Sequence, residues 1–347
     1  MTARGHDIAV LGAGSWGTAL AMQLARNDRS CRLWARRSEQ VADMKARREN
    51  HRFLPGFPFP EGLEVTDDLE GALASSQRLL IAVPSHAFVG LLDRIAPGLH
   101  GFDGIAWACK GFEPGTGALL HEVAAQRLGE DLSLAAVTGP SFAREVARDL
   151  PTAVTVASIG AEYGEDIARC LHGGSFRAYT STDMVGAELG GAVKNVLAVA
   201  TGISDGMGLG DNCRAALVTR GLAEMMRLGA AMGARPETLT GLAGMGDLVL
   251  TCTGDLSRNR RLGLALGRGD TVEHAVAEIG QVVEGVGTSA EVQRLAHQYE
   301  VSMPISEQVH GIIHEGWNPA EGVRRLLARE QKPEHQTEEP TEGPVGH

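Results

Sequence analysis

The residue whose setting says most about chemistry is Lys194, in the run Glu188-Leu-Gly-Gly-Ala-Val-Lys-Asn-Val-Leu-Ala198. At helical spacing, Gly190, Gly191, Leu197 and Ala198 share its face, so the amine has no polar surface beside it. A desolvated amine has a depressed pKa, which suits proton exchange with a substrate oxygen. The plainer alternative is a lysine that reaches along an apolar helix to water. The paired glycines one turn earlier and the adjacent Asn195 favour chemistry. A second cluster runs from Gly241 to Arg261. Asp247 falls in its glycine-rich turn. Further on, Ser257, Arg258 and Asn259 bring hydroxyl, guanidinium and amide donors together, a set suited to a phosphate. The alternative for Ser257 is a helix cap, and Arg260 with Arg261 is expected to form a solvated basic face.

Three more segments sit where short apolar runs end: Val83-Pro-Ser85, Cys109-Lys-Gly111 and Thr138-Gly-Pro-Ser-Phe-Ala143. Ligands of open α/β sheets bind beyond the carboxyl ends of the strands. Lys110 is therefore either a contact to a ligand or an ordinary lysine at a strand exit. Near the start, Gly12-Ala-Gly-Ser-Trp-Gly17 follows an apolar run and opens a helical pattern. That context reads GxGxxG as a dinucleotide-binding turn: a tight bend, close backbone approach to a pyrophosphate, and close helix–strand packing. The next strand ends in Arg36-Arg37, where an NAD site usually has an acidic residue. Guanidinium groups suit a 2′-phosphate, so NADPH is favoured, NADH remains possible, and Arg36 is the first candidate.

The elements that must position these groups change character along the chain. Ile8–Leu11, Cys31–Ala35, Leu79–Val83, Ile105–Ala108, Leu134–Val137 and Ala153–Val156 read as strands, with Thr18–Arg26 a helix and Asn50–Pro60 a loop. Strands alternating with helices predict a parallel-rich sheet covered on both faces. After about Thr182, long Ala-, Leu-, Met-, Glu- and Arg-rich stretches predict an all-α domain. The expected organisation is a dinucleotide-binding domain over 1–182, a helical domain over 183–330, and a disordered acidic tail over 331–347.

Composition sets the outer limits. The chain has 347 residues and 32 Lys and Arg against 43 Asp and Glu, a formal charge of −11. That balance argues against nucleic acid or an anionic membrane as partner. Five widely spaced cysteines form no zinc-like cluster or disulfide framework, so no metal is expected and a cytoplasmic location is the simplest reading. The stretch Ile8–Ala25 has some features of a signal peptide, but its glycines are better explained by the dinucleotide turn. The 45 glycines among 347 residues are nearly twice the usual roughly 7% and follow no collagen-like period.

Taken together, the blocks resemble the bacterial NAD(P)-dependent glycerol-3-phosphate dehydrogenase family. The likeness runs through Gly12–Gly17, Lys110-Gly111, Gly139–Glu145, Glu188–Ala198, Ser204–Gly210, Thr219–Glu224, Gly244–Asp247, Ser257–Asn259 and Val283–Val286 to Pro304-Ile305. It implies a Rossmann-type N-terminal domain, a helical C-terminal domain and a homodimer. It also implies reversible reduction of dihydroxyacetone phosphate to sn-glycerol 3-phosphate, feeding phospholipid synthesis. By that resemblance Lys194 is the proton-transfer residue, with Asp247 orienting it and Lys110 helping to hold the substrate. Lys110, Gly139, Ser141, Lys194, Asp247, Ser257, Arg258 and Asn259 contact the phosphorylated substrate. Gly12, Gly14, Ser15, Trp16, Gly17, Arg36, Arg37, Lys110, Ala143, Arg258, Val282 and Glu284 line the cofactor. Two rival functions stay open from the residues alone: a hydroxy-acid dehydrogenase of the same plan, and a cofactor-sensing protein without catalysis.

Overall fold

The computed structural model describes residues 6–129 and 131–329, so the expected tail over 331–347 lies outside the described residues. Eight strands form one sheet: β1 (His6–Leu11), β2 (Cys31–Trp34), β3 (Leu63–Thr66), β4 (Ser76–Ile81), β5 (Gly104–Trp107), β6 (Ser133–Thr138), β7 (Thr152–Ile159) and β8 (Phe176–Ser181). Their order is β3-β2-β1-β4-β5-β6-β7-β8, and every pair is parallel except β6 with β7. The parallel-rich sheet thus matches expectation, with one antiparallel junction added. Strands β3 and β8 were not anticipated.

Both faces of the sheet are apolar because alternate side chains of each strand go to opposite sides and both sides are covered. Ile8, Val10, Leu80, Ala106, Ala135 and Val137 join one core with α1 (Ser15–Arg26), α2 (Ser38–Arg47), α6 (Ala143–Ala147) and α7 (Ala161–Leu171). Ala9, Leu11, Leu79, Ile81, Ile105 and Trp107 join the other with α3 (Leu69–Ser75), α4 (Phe88–Ile95) and α5 (Leu120–Leu128).

Beyond β8 the described chain is helical. It runs through α8 (Met184–Gly206), α9 (Gly210–Met232), α10 (Pro236–Thr240), α11 (Asp247–Thr253) and α12 (Arg258–Gly267). It continues through α13 (Val272–Ile279), α14 (Glu284–Gln298), α15 (Pro304–His314) and α16 (Pro319–Leu327). Asp183 caps α8 by accepting from the Gly186 amide at 2.9 Å. Twenty of the 23 residues of α8 are buried, which makes it the axis of the domain rather than a surface helix. Helices α9, α11, α12, α14 and α15 pack around it. Elsewhere Glu224 on α9, buried, accepts from the Ile305 and Ser306 amides and so caps α15. Among the described residues no helix is long and apolar enough to cross a membrane.

Helices α8 and α12 touch backbone to backbone. A Cβ on Gly202 would lie 2.2 Å from the Arg260 carbonyl oxygen, and one on Gly263 would lie 2.2 Å from that of Val199. Neither backbone atom can rotate away. Gly202→Ala is expected to force the helices apart at a cost of about 1–3 kcal/mol, seen as a lower Tm in thermal unfolding; an unchanged Tm contradicts this packing.

Candidate active site

The sequence-selected residues converge beyond the carboxyl ends of the parallel strands. Gly12–Gly17 follows β1, Arg36 and Arg37 follow β2, Ser85 follows β4, Lys110 follows β5, and Gly139 with Ser141 follows β6. Across from them stand α8, α11, α12 and the start of α14.

Asp247 joins the two sides. Its Oδ2 accepts from Lys110 Nζ at 2.7 Å, and its Oδ1 accepts from Lys194 Nζ in a shorter bond. Lys110 also donates to the Gly139 carbonyl at 2.9 Å, which Ser141 Oγ reaches at 3.0 Å. The local chain explains the placement. Leu242–Gly246 forms a widened π-helical turn, with the Gly246 amide bonded to the Gly241 carbonyl at 3.0 Å, and delivers Asp247 as the first residue of α11. Thr251, one turn on, donates to the Asp247 carbonyl at 2.6 Å. Gly190 lets α8 approach that turn, since a Cβ there would lie 2.6 Å from the Ala243 carbonyl oxygen.

All three charges are largely withdrawn from water, with Lys194 6% and Asp247 1% exposed. Burial outweighs the Asp247 carboxylate, and the Lys110 ammonium adds to its effect, so the Lys194 amine falls from 10.5 to about 7. For Asp247, burial alone would raise the carboxyl; the Lys110 and Lys194 charges overcome it and hold it below the ordinary carboxylate range.

An amide chain braces this trio. Asn195 Nδ2 donates to the Lys110 carbonyl at 3.4 Å, Asn259 Nδ2 donates to Asn195 Oδ1 at 2.8 Å, and the Gly285 amide donates to Asn259 Oδ1 at 2.9 Å. Ser257 is the N-cap of α12, accepting from the Arg260 amide at 3.2 Å, so the helix-cap alternative for it holds. The solvated-face expectation is corrected for Arg260. Its guanidinium is buried between Asp205 and Asp255, each at 2.7 Å, because the start of α12 turns this position inward; Arg261 is exposed. Arg258 differs again. Burial draws its guanidinium down, with Glu284 opposing and Arg261 reinforcing. It forms no ion pair or hydrogen bond among the described residues.

The dinucleotide turn fits the ligand its pattern implies. Gly12 has φ +125°, and a Cβ there would lie 2.4 Å from the Ala82 carbonyl oxygen; a Cβ on Gly17 would lie 1.9 Å from the Gly12 carbonyl oxygen. At Gly14 a Cβ would meet nothing within 4 Å, and no side chain caps α1 there. The space at Gly14 and the absence of a capping side chain suit the approach of a pyrophosphate to the first amides of α1. Ser15 Oγ is committed to the Phe53 carbonyl at 2.7 Å, while buried Trp16 Nε1 has no hydrogen-bond partner among the described residues. Arg36 and Arg37 are exposed. Ala143 opens α6. Val282 is exposed, and Glu284, opening α14, accepts from Ser85 Oγ at 2.6 Å.

Residues 7–163 match the profile described as NAD-dependent glycerol-3-phosphate dehydrogenase N-terminus, and residues 183–324 match its C-terminus counterpart. A Stenotrophomonas maltophilia protein named glycerol-3-phosphate dehydrogenase [NAD(P)+] is 58% identical over 335 residues, covering 96% of this chain and 98% of its own. The chain belongs to the NAD-dependent glycerol-3-phosphate dehydrogenase family. It is accordingly an oxidoreductase. A like-named Xanthomonas euvesicatoria relative is 58% identical over 330 residues, covering 95% of this chain and 97% of its own. The crystal structure of glycerol-3-phosphate dehydrogenase from Coxiella burnetii is 51% identical with a TM-score of 0.90, covering 93% of this chain and 99% of that one.

Sequence reasoning did not single out Thr251, or the Asn259–Gly285 bond. The Asp247–Thr251 spacing of four residues was the available signal for the first; the second joins segments distant in sequence. Removing the shared charge should be severe. Asp247→Asn leaves the Lys110 and Lys194 amines without their counter-charge, an expected loss of about 3–5 kcal/mol that a denaturant titration would read. A loss below the error of that titration contradicts the pairing.

Proposed function

We propose that this chain catalyses reversible NAD(P)H-dependent reduction of dihydroxyacetone phosphate to sn-glycerol 3-phosphate, NADPH being preferred, and so supplies phospholipid biosynthesis. The reading extends to a cytoplasmic homodimer, with a cofactor domain over residues 1–182 and a substrate domain over 183–330. The observation that carries it is the Lys110–Asp247–Lys194 trio, together with the half-buried guanidinium of Arg258 at the start of α12, which forms no ion pair or hydrogen bond among the described residues.

When bound along Gly12–Gly17, near Arg36, Arg37, Ala143, Val282 and Glu284, the nicotinamide cofactor supplies hydride chemistry. The protein supplies the proton and the alignment. Lys194, at about 7, holds its proton loosely enough near neutrality to pass it to the carbonyl oxygen as negative charge develops there. Asp247 stays ionised and orients the amine. Lys110, fixed by Asp247 and the Gly139 carbonyl, adds positive charge and, with Gly139 and Ser141, borders the substrate. A phosphate dianion meets Arg258 without having to displace a carboxylate from it, with Asn259 and the start of α12 at Ser257 alongside. Binding energy from this remote group then aligns the reacting carbonyl.

The test is an assay with dihydroxyacetone phosphate and each reduced cofactor, repeated across pH. Oxidation of NADPH, and slower oxidation of NADH, is expected. Reduction needs the protonated amine, so its kcat should fall as pH rises through about 7. Oxidation of glycerol 3-phosphate needs the neutral amine, so its kcat should rise over that range. A folded protein that oxidises neither cofactor overturns the function; faster NADH turnover overturns only the Arg36 assignment. Profiles running the same way in both directions remove Lys194 from proton transfer.

A further inference from the structure

Two elements carry the lysines of the site, and they are fastened at a second point. Glu188 lies six residues before Lys194 on α8, an advance of about 9 Å. Trp107 lies three residues before Lys110 at the end of β5, at most about 10 Å of extended chain. The two spans match. At the far end from the lysines, Trp107 Nε1 donates to Glu188 Oε1 at 2.9 Å. Glu188 Oε2 accepts from the His121 amide at 3.3 Å and pairs with His121 Nδ1 at 2.7 Å.

None of these groups has slack. The Glu188 side chain is 3% exposed and that of His121 13%. Trp107 is fully buried with its ring edge-on to Phe88, centroids 5.4 Å apart. A carboxylate buried to that extent must keep its donors or bear a large desolvation penalty, so it holds one geometry. An apolar side chain would fill the same space without fixing a distance. Between the two fastenings, α8 presents Gly191, where a Cβ would come 2.8 Å from Thr138 Oγ1 and 3.7 Å from Lys110 Cγ. No side chain at that point spaces α8 from the Lys110 segment, which leaves the spacing to the bonds on either side.

We propose that Glu188 is a positioning residue of the active site: by tying β5 and the start of α5 to α8, it sets the separation of Lys110 and Lys194 across Asp247. The inference rests on the reading of Lys194 as the proton-transfer group. The charges facing Lys194 are Asp247 and Lys110, with the Cys252 thiol near; Glu188 faces His121, on which Glu122 also acts, and the buried Cys109 thiol. Glu188 touches neither lysine, so its effect must be carried by geometry.

The experiment compares Glu188→Leu, Glu188→Gln and Trp107→Phe with the parent protein. It reads kcat, KM, cofactor affinity and, without substrate, NMR titration of the Lys194 amine in lysine-labelled protein. Glu188→Leu is expected to lower kcat about tenfold or more, to move the Lys194 titration, and to change cofactor affinity less than kcat, since Gly12–Gly17 lies elsewhere. Glu188→Gln still accepts from Trp107 and should recover most of the loss. Trp107→Phe removes the same bond from the other side and serves if Glu188→Leu does not fold. A folded Glu188→Leu or Trp107→Phe protein whose Lys194 titration matches the parent overturns the proposal, even if its Tm is lower. Absence of turnover in the parent bears on the substrate reading instead, because the titration needs no substrate.

Discussion

Everything in this molecule that bears on chemistry depends on one buried carboxylate shared by two ammonium groups. Asp247 cannot be withdrawn from water alone, and neither can Lys110 or Lys194. Each makes the others tolerable. The trio still carries one surplus positive charge when both lysines are protonated, and burial acts on the group least able to escape it. The Lys194 amine therefore falls to about 7 while the carboxyl of Asp247 stays low. A lysine amine that titrates near neutrality is thus a consequence of packing three charges where two would balance.

The fold exists around that site in a literal sense. Lys110 comes from a strand exit, Lys194 from the central buried helix, and Asp247 from the end of a π-helical turn. Glycines permit the approaches: Gly190 against the turn, and Gly202 and Gly263 where α12 meets α8. The parallel strands end at the same edge, so the dinucleotide turn after β1 and Lys110 after β5 both lie beyond the carboxyl ends of the sheet. The overall charge of −11 is no obstacle to an anionic ligand there. Net charge describes the whole surface, and Lys110 and Arg258 are cations set locally against it.

Much of this was legible in the residues alone, and the omissions have physical causes. The strands β1, β2, β4, β5, β6 and β7 are buried on both faces and read as apolar runs. Leu63-Glu-Val-Thr66 and Phe176-Arg-Ala-Tyr-Thr-Ser181 were missed because they are the two edges of the sheet, where polar side chains can meet water. The apolar surroundings of Lys194 announced an unusual amine. Spacing alone, however, could not join it to a carboxylate 53 residues away. Arg260 looked like its exposed neighbour Arg261 for the same reason, since its partner Asp205 lies 55 residues back. Local pattern reports which face of a helix is apolar. It does not report what the fold lays against that face.

The central claim is most directly tested by titrating the Lys194 amine itself, followed by NMR in lysine-labelled protein and assigned by comparison with Lys194→Arg. The account predicts a midpoint near 7, with the amine neutral above it. A midpoint at the ordinary value near 10.5 would mean that the site leaves this lysine permanently charged near neutrality, contradicting the tuning on which the proposed proton transfer rests.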